Sequence, residues 1–232
     1  MNKNAPDARL RLAAGFVRQG AVFADIGTDH AYLPLFLLES GKIRRAVCAD
    51  IAEGPLANAR AHAADSPRLP DMAFVRTDGL HGLESYGLTD IAICGMGGEL
   101  IASVLAAAPF TRDPALRLIL GPMSKQEFLR AWLYENGYAV TAEDYASDGG
   151  KYYLTLCATY TGGCRRLTAA EALLGTGKLP DTAACRGYYA AKRRALCRAA
   201  AGKAKGGAPG DEAMLLVELD ERFPNLNENK YN

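Results

Sequence analysis

A chain of 232 residues, 49% hydrophobic and 23% charged, has ordinary globular composition, with room for one good-sized domain and an appendage. No stretch reaches the roughly 18 consecutive apolar residues of a membrane span, and the N-terminus lacks the apolar run of a signal peptide, so a cytoplasmic protein with no membrane partner is expected. The six cysteines form no CxxC pair and have no histidine at ligand spacing, which predicts buried or incidental thiols and no metal.

In chain order, Asp7 to Gln19 sets Leu10, Ala13, Ala14 and Val17 on one face of a short amphipathic helix. Ala21 to Ala24 is a brief apolar run that reads as a buried strand; Asp25 closes it, Gly27 turns the chain, and a helix follows from Tyr32 to Ser40. Parallel α/β sheets are built from this strand–loop–helix unit, and they leave a ligand crevice at their strand carboxyl ends. The loop offers the Asp25 carboxylate, open backbone at Gly27, and the polar trio Thr28, Asp29 and His30. It is neither a G-x-G-x-x-G fingerprint nor a Gly-Lys-Ser/Thr phosphate cradle. Carboxylates repel pyrophosphate and attract cations and ribose hydroxyls. The expected ligand is therefore a positively charged nucleoside, and S-adenosylmethionine fits.

The pattern then repeats. Arg45 to Asp50 is a second strand ending in a carboxylate, 25 residues after Asp25, close to the spacing at which such a residue reaches ribose hydroxyls; Gly54 to Ala64 is its helix. Met72 to Arg76 leads into Thr77-Asp78-Gly79-Leu80, either a plain Asp-Gly turn or a third ligand-facing strand end. Asp90 to Cys94 runs into Gly95-Met96-Gly97-Gly98 and a helix from Glu99 to Ala108, and three glycines at that junction clear side chains where something must approach the backbone. Leu116 to Leu120 is a fifth strand, and Ser124 with Glu127 reads as a capping box opening a helix to Asn136. Tyr138 to Tyr145 and Tyr152 to Tyr160, around Ser147 to Gly150, complete the sheet as a hairpin.

The expected fold is a Rossmann-like α/β domain over residues 1–162, with a seven-stranded, mostly parallel sheet containing one reversed strand. Residues 163–232 read as a helical hairpin or coiled-coil-like extension, with helices near Thr168–Leu174, Thr182–Ala201 and Asp211–Phe223. Basic residues crowd Arg165 to Lys205. Arg186, Lys192, Arg193, Arg194 and Arg198 are the candidates for RNA phosphate contacts, and a solvated basic face is the plainer reading.

The strings Asp25-Ile-Gly-Thr-Asp-His-Ala-Tyr-Leu-Pro34, Asp50-Ile51, Asp78-Gly79-Leu80 and Ile93-Cys-Gly-Met-Gly-Gly98 resemble the bacterial tRNA (adenine-22) N1-methyltransferases, the TrmK family, from about Leu10 to Tyr160. The resemblance implies S-adenosylmethionine as donor, tRNA as substrate and a helical C-terminal domain. Under it, Asp25, Gly27, Thr28, Asp29 and His30 line the donor's methionine end, Asp50 and Ile51 its ribose, and Asp78, Gly79 and Leu80 its adenine side. Gly95, Met96 and Gly97 border the donor and the entering base. Asp29, His30 and Met96 stand at the reacting centre, His30 either as a base or as a structural partner of Asp29. A monomer is favoured. A small-molecule methyltransferase would share the first 160 residues and dispense with the basic tail, and a non-catalytic RNA-binding protein would be a third class.

Overall fold

The structure, a computed structural model, describes residues 6–204 and 212–224; residues 1–5, 205–211 and 225–232 lie outside them. Seven strands form one sheet in the order β3-β2-β1-β4-β5-β7-β6: β1 Ala21–Ile26, β2 Ile43–Asp50, β3 Met72–Arg76, β4 Asp90–Cys94, β5 Arg117–Gly121, β6 Tyr138–Asp148 and β7 Lys151–Tyr160. The first five strands pair in parallel, and β7 runs antiparallel to both β5 and β6. Strand β4 is buried along nearly its whole length, as expected of a parallel strand covered on both faces.

Helices α1 (Ala8–Phe16) and α2 (Tyr32–Glu39) cover one face, where Ala13, Ala14, Leu33 and Leu37 meet Phe23, Ala92 and Ile119. The other face packs Ile91, Ile93 and Leu118 against α4 (Gly98–Ala106) and α5 (Gln126–Glu135), while α3 (Glu53–Ala63) lies along β2 and β3. The C-terminal helices α6 (Ala169–Leu174), α7 (Ala183–Ala204) and α8 (Glu212–Arg222) add Leu173, Tyr188, Tyr189 and Leu219 to that second core.

Three expectations are corrected. Strand β1 continues through Asp25 to Ile26, because Asp25 and Ile26 are still paired to β2 and β4. Helix α1 stops at Phe16, since Val17 is extended and Arg18 gives its backbone N–H and its guanidinium to Asp90 instead (3.0 Å each). Ser124 caps nothing: Lys125 takes the N-cap position in a left-handed conformation (φ 56°), the Ser124 carbonyl accepts from Gly98 N–H at 2.8 Å, and Glu127 pairs with Lys192. A real capping box stands at Thr168 and Glu171, opening α6.

Candidate active site

The order β3-β2-β1-β4-β5 reverses direction between β1 and β4, and the crevice outside the carboxyl ends of those strands is where open α/β sheets bind ligands. The loops after β1 and β4 meet across this point. A β-carbon at Gly27 would lie 2.5 Å from Met96 Cε, and Gly27 has φ +73°. Gly27→Ala should cost about 1 kcal/mol in left-handed strain and displace Met96, a loss readable by urea denaturation.

Asp25 is buried at the centre of this floor, 7% exposed, and accepts from Thr28 Oγ1 at 2.8 Å. Burial pushes its carboxyl up to about 6, opposed by the Thr28 hydroxyl and the Arg9 charge. Arg9 is not among the residues the sequence singles out. It reaches over from α1 so that its Nη1 would sit 3.0 Å from a β-carbon on Gly95, itself at φ +89°. Its only signal in the sequence is a cation one turn into a helix that precedes the first strand.

Asp29 and His30 project from the same loop, with His30 Nδ1 2.9 Å from Asp29 Oδ2. Asp29 and Ala31 both take left-handed backbone (φ 48° and 54°), a strain that functional loops retain. His30 stacks on Tyr32 at 5.5 Å, Tyr32 meets His62 edge-on at 4.6 Å, and His62 Nδ1 donates to the His30 carbonyl at 2.7 Å. The His30 ring thus touches Asp29 and Tyr32 and is otherwise partly exposed, while the His62 bond fixes its backbone.

At the end of β2, Asp50 accepts from Ala52 N–H at 2.9 Å and Ile51 is 63% exposed. Beyond β3, Asp78 is exposed, whereas Leu80 turns its side chain into the core at 2% exposure and offers only backbone to the crevice. Gly79, at φ +58°, sits against Val104 of α4. Gly97 lies beside Ser124, and a β-carbon at Gly98 would collide with the Lys125 carbonyl, so these two glycines close the loop onto the β5–α5 turn. The crevice therefore combines a buried carboxylate, a second carboxylate one strand away, and a glycine floor without β-carbons. That set fits a cationic nucleoside such as S-adenosylmethionine.

The five candidate phosphate ligands of α7 divide into two groups. Arg186 pairs with Asp181, Lys192 with Glu127 and Gln126, and Arg193 makes a two-pronged pair with Asp220 of α8 at 2.6 and 2.9 Å. Arg194 and Arg198, one helical turn apart, are exposed and unpaired among the described residues. Those residues contain no group of three or more His, Cys, Asp or Glu side chains placed to hold a metal ion, and no helix long and apolar enough to cross a membrane.

Residues 7–156 match the family model of a methyltransferase domain. The chain is 35% identical to a tRNA (adenine(22)-N(1))-methyltransferase of Bacillus subtilis (strain 168), over 68% of this chain and 66% of that protein's length. Among solved structures, the B. subtilis M1A22 tRNA methyltransferase TrmK superposes with a TM-score of 0.77 at 28% identity, covering 97% of this chain and 99% of that one. A Streptococcus pneumoniae protein solved in complex with S-adenosyl-L-methionine gives 0.79 at 29% identity, covering 92% and 97%. On these matches, the chain belongs to the methyltransferase-domain family, within the tRNA (adenine-22) N1-methyltransferases that its loop strings resemble.

Proposed function

We propose that this protein transfers the methyl group of S-adenosylmethionine to N1 of an adenine in tRNA, at the position its relatives are named for, working as a cytoplasmic monomer. The observation that carries this reading is the crevice at the β1/β4 reversal, where the buried Asp25 and the glycine floor meet in a chain related to a tRNA (adenine-22) methyltransferase.

When bound, the donor supplies an electrophilic sulfonium methyl group. Asp25, with Thr28 and Arg9 around it, would hold the charged amino-acid end: the carboxylate suits an ammonium and the guanidinium a carboxylate. Asp50 is placed for ribose hydroxyls, and the backbone around Asp78 and Gly79 for the adenine side. Adenine N1 attacks through an in-plane lone pair, so no proton has to leave first. The chain needs no strong general base, and its contribution is alignment plus a site that accepts the positive charge passed to the base. Asp29, exposed beside the loop, serves the second task. Gly95, Met96 and Gly97 border the space where the base enters, and Met96 forms its wall against Gly27.

N1 lies on the pairing edge, so the adenine must be unpaired or flipped out. We assign residues 163–232 to RNA docking, with Arg194 and Arg198 as cations of α7 that are unpaired among the described residues. Changing both to Glu should weaken tRNA binding and flatten its dependence on log salt by about 2, roughly one per lost phosphate contact. Donor affinity should not move. Unchanged tRNA affinity would sink the docking assignment.

The function itself is tested by incubating the protein with labelled S-adenosylmethionine and unmodified bulk tRNA, then analysing the nucleosides. Label in 1-methyladenosine is the expected result. Donor binding without transfer to tRNA would redirect attention to a small-molecule acceptor.

A further inference from the structure

Next to the Gly95–Gly98 loop lies a second concavity of about 400 Å³, framed by the β5–α5 turn, the tip of the β6–β7 hairpin and the first half of α7. Its volume is in the range that holds a nucleoside-sized ligand. Three walls are aromatic, Tyr152, Tyr153 and Tyr188; of its two lysines, Lys192 is paired with Glu127, and Lys151 is exposed at the hairpin tip. The Tyr152 ring is fixed in place because Gly187 leaves room for it: a β-carbon there would overlap the ring. Tyr153, next along the hairpin, is only half-buried.

Two polar residues of α7, Tyr188 and Lys192, border the concavity. Tyr188 is 4% exposed, and its hydroxyl, closed off from solvent, has no hydrogen-bond partner among the described residues. The Lys192 ammonium sits 5.4 Å above the Tyr188 ring and uses Gln126 and Glu127 as acceptors, which leaves its third N–H to give. The concavity is also mechanically part of the active site. Met123 N–H, on its rim, donates to the Met96 carbonyl at 2.8 Å, so a backbone hydrogen bond ties the base-entry loop to this wall.

We propose that this concavity takes a nucleotide adjacent to the methylated adenine, its base stacked on Tyr153 and its phosphate on Lys151. Single-stranded RNA is read in this way, by splayed bases on aromatic side chains beside cations. Holding the neighbour would turn the target base toward Met96. The proposal rests on the tRNA reading above, and it adds a base-binding site to it.

The test uses the full chain and tRNA transcripts carrying 2-aminopurine at one or the other neighbour of the methylated adenine. Complex formation should quench the probe at one of these positions. Tyr153→Ala should abolish the quenching and raise the KM for tRNA about tenfold, as expected for one lost base–aromatic stack, with the Kd for S-adenosylmethionine unchanged. Tyr153→Phe should keep the quenching. If the wild-type protein methylates tRNA but neither probe is quenched, or if Tyr153→Ala leaves the KM unmoved, the proposal is overturned while the function stands. If the wild-type protein transfers no methyl group to tRNA, both fall.

Discussion

Arg130→Met should destabilise the protein by about 3–5 kcal/mol, the usual cost of stranding one partner of a buried ion pair. The Arg130 side chain is 1% exposed, and its Nε and Nη2 donate to Glu143 Oε2 at 3.1 and 2.9 Å, with the Glu143 side chain 7% exposed. Its Nη1 donates to the carbonyls of Ala172 and Leu173 at 2.8 and 3.0 Å, which are orphan acceptors at the end of α6. Burial works against the guanidinium charge, the Glu143 carboxylate overcomes it, and the net effect holds the group more firmly protonated than usual. Tyr145 donates to Glu143 Oε1 at 3.0 Å and lies 2.8 Å from the Tyr189 hydroxyl of α7. One buried cation thus joins α5, β6, α6 and, through the tyrosines, α7. The substitution leaves the Glu143 charge uncompensated. The check is a urea melt, with a thermal midpoint expected to fall on the order of 10 °C, and the double variant Arg130→Met/Glu143→Met should recover much of the loss. A single variant within about 1 kcal/mol of wild type would mean that the site rehydrates and the joint carries little.

That joint also marks the limit of what the sequence reveals. Strands β3 and β4 fall on the residues their apolar runs predict: β4, buried on both faces, announces itself as a continuous apolar run, and β3, a partly buried edge strand, as a short one bounded by turn residues. The carboxylates of Asp25 and Asp50 are legible for a related reason: they follow apolar runs, and sheet topology places strand ends at the crevice. The pattern Ser124-x-x-Glu127 has the same spacing as Thr168-x-x-Glu171, yet only the second is a capping box. At the first, Ser124 and Glu127 are claimed by Gly98 and Lys192, partners far away in the chain that no local pattern contains. The basic stretch of α7 is legible in part: the acidic run of Asp211, Glu212, Glu218, Asp220 and Glu221 that follows it suggests partial pairing between the two arms, which Arg193 and Asp220 make, but nothing local points to Glu127 of α5 as the partner of Lys192. Arg9 escapes a sequence reading because its importance lies only in where α1 docks over the sheet.

Asp25→Asn should weaken S-adenosylmethionine binding by at least about 30-fold, the lower end of what removing one member of a buried charged contact costs, while making the unliganded protein more stable at neutral pH. Burial lifts the Asp25 carboxyl from 3.8 to about 6. Because the folded value lies above the unfolded one, the native state holds this proton longer than the unfolded chain does. Stability therefore falls as pH rises through the window from about 4 to 6, and the full penalty remains above it. A rise of that size corresponds to ~3 kcal/mol, reached only above pH 6, and the neutral amide escapes it. Such a cost supports the proposed role of Asp25 as the partner of the donor's ammonium group. Wild-type donor affinity should accordingly rise with pH between 5 and 7, approaching tenfold per pH unit below about 6 as binding has to expel the proton. The Asp25→Asn variant should show a flat profile over the same range. Calorimetric titrations of both proteins at pH 5, 6 and 7.5, with urea melts alongside, separate the outcomes. A donor Kd that is independent of pH in the wild type, or near wild-type affinity in the variant, would place the ammonium elsewhere and leave Asp25 as a structural residue that Thr28 alone holds.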